Sequence, residues 1–124
     1  MSSSEHMSKY LYFKSSEFKS NREFASWIHQ ELRKAGEVVG EPVDNEYMYV
    51  IPVTRGVAKV NVYLGKNEEQ SSPPLWQIWP EHKVGFIKKL FSKPSSDVEQ
   101  HYKSLLFRLV NSIDGVSDVE WSDI

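Results

Sequence analysis

The stretch "YMYVIPVTRGVAKVNVYL", Tyr47–Leu64, decides how this chain folds. Two runs rich in β-branched and aromatic residues flank a short turn, "TRG", whose glycine supplies the backbone freedom that tight connections use, and this is the pattern of a β-hairpin. In the second run Ala58, Val60, Val62 and Leu64 alternate with Lys59, Asn61 and Tyr63, so the first set faces a core and the second faces away from it. In the first run Ile51 and Val53 share the parity of Tyr47 and Tyr49. Either that strand is bulged near Pro52 or both of its faces are apolar.

On the C-terminal side the polar "GKNEEQSSPP" leads to "LWQIW", which alternation divides into Trp76 and Ile78 against Leu75, Gln77 and Trp79. Prolines 73, 74 and 80 cannot donate to a ladder, so they bracket a strand. Trp76 shares its face with Ile78 and is expected in the core. Trp79 shares its face with Gln77 and is expected on the other side. Next, "VGFIKKLFSKP" puts Phe86, Ile87, Leu90 and Phe91 on one helical side, and Pro94 closes this short helix. "SSDVE" then offers Ser96 as N-cap with Glu99 three residues on. Val98, Tyr102, Leu105, Leu106, Leu109, Val110 and Ile113 hold one helical stripe behind it. Gly115 ends that helix, and "VSDVEW" alternates as a last strand.

On the N-terminal side "KYLYFKS" sets Leu11 and Phe13 against Tyr10 and Tyr12, a short strand. "SNRE" sets Ser20 as N-cap and Glu23 as its reciprocal partner. Phe24, Trp27, Ile28 and Leu32 follow on one stripe, and Gly36 closes a helix over Asn21–Ala35. Between helix and hairpin, Gly36 to Glu46 reads as a loop carrying Glu37, Glu41, Asp44 and Glu46, with no Lys or Arg until Arg55. The sum is an α+β domain: a largely antiparallel sheet of about five strands with helices on one face, in the order β-α-β-β-β-α-α-β.

At 124 residues the chain suits one domain with a real core. The opening "MSSSEHM" reads as a cloning remnant over residues 1–6 with Met7 as the native start, so the domain is expected over 7–124. A formal charge of -2 argues against a general nucleic-acid binder, which needs a basic surplus on one face. With no cysteine there is no disulfide framework, thiolate chemistry or cysteine-held zinc. No apolar run reaches the roughly 18 to 20 residues of a membrane helix. A cytoplasmic protein without cofactor or metal is the expectation.

Specific catalytic motifs are missing from the sequence: it has no glycine-rich phosphate loop, nucleophile elbow or dinucleotide fingerprint. His29 and His101 lack the helical spacing of a metal pair. Glu81 and His82 invite an acid/base reading, yet adjacent residues at a strand end are more simply solvated. Lys83, Lys88, Lys89 and Lys93 beside Phe86 and Phe91 read as a cationic helix face in water. The tyrosines say more. Tyr10, Tyr12 and Tyr63 oppose the core residues in parity and should emerge on the sheet face away from the helices, with Tyr47 and Tyr49 as candidates to join them. Tyrosines fit any pleated surface, but clustered with a tryptophan they would offer rigid aromatic area that suits protein contact.

In size, lack of cysteine and order of elements, the chain resembles the small cytoplasmic proteins that bacteria encode as immunity partners of secreted toxins. That resemblance implies binding and occlusion of a toxin's active site, often with acidic loops against a basic cleft. The expected function is therefore non-enzymatic binding of another protein, of the immunity type, through Glu37, Glu41, Asp44, Glu46, Tyr10, Tyr12, Tyr63 and Trp79. The alternative from a different class is a small-ligand-binding or enzymatic pocket near Trp76, Trp79, Glu81 and His82.

Overall fold

The computed structural model describes residues 7–83 and 97–124. Its elements are β1 (Tyr10–Lys14), α1 (Asn21–Lys34), β2 (Val38–Val39), β3 (Val43–Asp44), β4 (Tyr49–Arg55), β5 (Ala58–Lys66), β6 (Leu75–Lys83), α2 (Asp97–Asn111) and β7 (Ser117–Ser122). The short helix expected over 84–94, with Lys88, Lys89 and Lys93, and the cap expected at Ser96 lie outside the described residues.

Local chemistry sets the ends of α1. Ser20 Oγ accepts the Glu23 N–H at 3.1 Å, while the Glu23 carboxylate reaches one residue further back than a capping box requires, to the Lys19 N–H. At the other end Gly36 takes φ 89, its N–H donates to the Arg33 carbonyl and the Glu37 N–H donates to the Leu32 carbonyl. These two bonds are a Schellman closure, and they fix where Glu37 leaves the helix.

The hairpin forms, but its turn lies later than the expected Thr54–Gly56, because Thr54 and Arg55 stay paired in β4. β4 and β5 pair from Tyr49↔Leu64 to Arg55↔Ala58, so the turn is the two residues Gly56 and Val57. Gly56 supplies the positive φ of 63 that such a turn requires at its first position. Strand β6 extends the pairing antiparallel to β5, β1 pairs β6, and β7 pairs β1. The sheet order is β2-β4-β5-β6-β1-β7, with β3 also on the outer edge of β4.

The architecture is α+β with an antiparallel sheet, but with seven strands where about five were expected. The added two come from the segment read as loop. Val38–Val39 and Val43–Asp44 each contribute a two-residue strand to β4, too short for alternation to register. Pro52 sits between them without breaking the sheet. Its carbonyl accepts the Gly40 N–H at 2.7 Å, so its missing donor also points to that outer edge and not toward β5.

One core lies between the helices and one sheet face. Phe24, Ile28 and Leu32 of α1 and Tyr102, Leu105, Leu106, Leu109 and Val110 of α2 meet Leu11, Phe13, Ile51, Val53, Val60, Val62, Leu64, Trp76 and Ile78. Trp76 is 1% exposed and its Nε1–H donates to the Ser15 carbonyl at 3.0 Å. Tyr49 packs on this core side with Ile51 and Val53, so β4 needs no bulge to explain its parity. Tyr47 lies before the strand and is 75% exposed.

Candidate protein-binding face

The pleat that sends Phe13, Val62, Leu64, Trp76 and Ile78 into the core sends Tyr10, Tyr12, Tyr63 and Trp79 to the opposite side. Register then brings them together. Tyr63 stands directly across from Trp79 and Leu11 across from Ile78, so strands β5 and β1 flank β6 at this level. The Tyr63 and Trp79 rings stack with centroids 5.4 Å apart, Tyr10 meets Trp79 edge-on at 4.9 Å, and Tyr10 lies 6.3 Å from Tyr12. Neither described helix packs on this face.

Trp79 occupies the expected side but is covered rather than presented. It is 7% exposed because Tyr10 and Tyr63 close over it, and its Nε1–H donates to Glu81 at 3.1 Å. The expectation that Trp79 is available to a partner is corrected accordingly: the half-buried tyrosines form the surface and the tryptophan is their support. Polar groups frame the cluster. Asn61 Nδ2 donates to the Tyr63 hydroxyl, Lys9 Nζ lies 5.1 Å over the Tyr10 ring and 3.7 Å from Glu81, and Tyr12 donates its hydroxyl proton to the Ile124 carbonyl. Burial, and then the neighbouring Tyr10, push the Tyr12 hydroxyl pKa up, so it stays a neutral donor.

The acidic segment divides. Glu41, Asp44 and Glu46 are exposed along the β2/β3 edge, with one strand, β4, between that edge and Tyr63. Asp44 accepts the Glu46 N–H at 2.9 Å and holds Glu46 in a left-handed conformation at φ 67. Val43, on the same edge, is 55% exposed.

Glu37 does not belong with them. Its side chain is 6% exposed, with Oε1 accepting the Tyr102 hydroxyl at 2.7 Å and Oε2 lying 2.8 Å from His101 Nε2 and 3.6 Å from the Arg55 guanidinium. Burial alone would raise its pKa. The hydrogen bonds from Tyr102 and His101, with the charges of His101 and Arg55, outweigh burial and hold the carboxyl below its ordinary value. Burial and the adjacent carboxylate push the Tyr102 hydroxyl well up. This node ties the start of β2 to α2 and is occupied with its own partners. Sequence reasoning missed it because Glu37 looks like its acidic neighbours, and His101 and Tyr102 are 64 and 65 positions away.

The residues of the alternative pocket separate. Along β6, Trp79 and Glu81 take the helix-free face, whereas Trp76 takes the core face, and His82 stands across from the core residue Val60. The His82 backbone N–H donates to the Glu99 carboxylate at 3.1 Å. As neighbours in one strand, Glu81 and His82 direct their side chains to opposite faces of the sheet.

Among the described residues no three His, Asp or Glu side chains converge as a metal set, and no helix is long and apolar enough to cross a membrane. The chain matches no protein-family model, and neither a curated protein nor a solved structure is significantly similar to it.

Proposed function

We propose that this chain is a non-enzymatic protein-binding domain of the toxin-neutralising, immunity type, which engages its partner with the helix-free face of the sheet. The carrying observation is the Tyr10, Tyr12, Tyr63 and Trp79 cluster, rigid aromatic area seated on a buried tryptophan. A partner binding here would gain large contact area at little cost in side-chain entropy, because these rings already hold each other in place. Glu41, Asp44 and Glu46 contribute at the rim, steering a basic partner to the face more than holding it there. Glu37 takes no part.

The test is affinity capture from the native host with mass spectrometry, comparing the natural chain with a Tyr10→Ser, Tyr63→Ser bait whose folding is checked by thermal unfolding. A basic-surfaced protein retained by the first and lost by the second is expected. Co-expression should then relieve whatever toxicity that partner has. An unchanged set of captured proteins would overturn the reading.

A further inference from the structure

The helix-free face carries a second feature beside the aromatic cluster. Where β1, β7 and the loop after β5 meet, an open surface cleft of about 480 Å³ lies, lined mainly by polar and charged side chains. Tyr12 and Leu75 give it aromatic and aliphatic surface, Glu69, Asp118 and Glu120 line it with carboxylates, and Lys14 is its one cation among the described residues. Lys14 is engaged with Asp118 at 3.4 Å. Glu69 and Glu120 have no ion-pair partner among the described residues. Among the described residues the cleft therefore holds two more negative charges than positive ones, beside a tyrosine ring.

This charge balance selects the occupant. An anion would be repelled, and a neutral apolar group would strip water from two carboxylates without replacing its hydrogen bonds. A cation with a flat face satisfies both ring and carboxylates. The protein already shows the arrangement with a side chain of its own, for Lys9 lies over the Tyr10 ring and against Glu81. In the cleft Tyr12 is directly across from Glu120 in the β1–β7 pairing, an aromatic and a carboxylate side by side, and no cation–ring contact is made with Tyr12 among the described residues.

We infer that the cleft between Tyr12, Glu69 and Glu120 is the seat of an arginine side chain from the bound protein. The guanidinium suits it because it stacks on aromatic rings and donates in pairs to carboxylates. The inference rests on the reading of this face as protein-binding, and it names the chemistry the partner must bring.

The probe is N-acetyl-argininamide, titrated into isotope-labelled protein and followed by amide chemical shifts, with N-acetyl-glutamate amide as the opposite-charge comparison. Saturable shifts at Tyr12, Val119 and Glu120 with the arginine probe alone are expected. Affinity should weaken about tenfold or more in the Glu69→Gln, Glu120→Gln pair, equivalent to about 1.4 kcal/mol. A Glu17→Gln, Asp114→Asn pair, with the same change in net charge elsewhere on the surface, should bind the probe as the natural chain does. Equal shifts with the acidic probe, shifts centred elsewhere, or equal weakening by both pairs would overturn the assignment. With a captured partner in hand the two readings part. Loss of binding on changing Tyr10 and Tyr63 but not Glu69 and Glu120 removes the cleft and leaves the aromatic cluster as the contact, and the reverse pattern removes the aromatic cluster and leaves the cleft.

Discussion

Replacing Glu37 tests whether this carboxylate is part of the fold rather than of an acidic recognition loop. Its side chain is 6% exposed and accepts from the Tyr102 hydroxyl while bonded to His101 and flanked by Arg55. Hydrogen bonds to a charged group contribute about 1.5–3 kcal/mol, and truncation also strands the buried Tyr102 hydroxyl. Glu37→Ala should therefore cost about 3–5 kcal/mol, and Glu37→Gln, which keeps the shape and loses the charge, about 1–3 kcal/mol. A double-mutant cycle with Tyr102→Phe should return a coupling of about 1–3 kcal/mol. The pH dependence has a definite sign. The folded-state pKa of Glu37 lies below its ordinary value, so its stabilisation is fully present above the unfolded pKa of about 4.3 and is lost as pH falls through the folded pKa. Urea denaturation followed by tryptophan fluorescence should show the natural chain ahead of Glu37→Gln at pH 7, with the gap closing below about pH 4.3. A gap under about 0.5 kcal/mol at pH 7, or one that persists unchanged into acid, would refute the account.

Trp79→Ala should destabilise by about 3–5 kcal/mol in chemical denaturation, since the ring is buried under Tyr10 and Tyr63, and Trp79→Phe should recover much of the loss. Gly40→Ala would place its Cβ 2.8 Å from Cγ of Pro52, a ring that cannot rotate away, and should cost about 1–3 kcal/mol by thermal or chemical unfolding. Glu46→Gly should raise stability by up to about 1 kcal/mol, because the natural residue holds a left-handed backbone at φ 67 that glycine adopts without a Cβ penalty; a loss of stability would show that the side chain, not the backbone, matters there.

The periodicity of this chain specified which side of each long strand faces the core, because a side chain's face depends only on its parity along its own strand. Trp76 with Ile78 inward and Tyr10, Tyr12 and Tyr63 outward were legible in that way. So were the start of α1 at Ser20 and its end at Gly36, since caps are made by neighbours in sequence. What parity leaves open is which strands stand side by side. Only the order β5-β6-β1 places Tyr63 and Tyr10 on either side of Trp79, and it is this that turns an outward tryptophan into a buried one. The Glu37 node depends on tertiary placement in the same way. Four acidic residues in one short segment are equivalent to any local rule, and Glu37 differs from Glu41, Asp44 and Glu46 only because α2 brings His101 and Tyr102 against it. Burial and charge compensation depend on what surrounds a side chain in space, and in this protein those neighbours come from strands and helices far apart in the sequence.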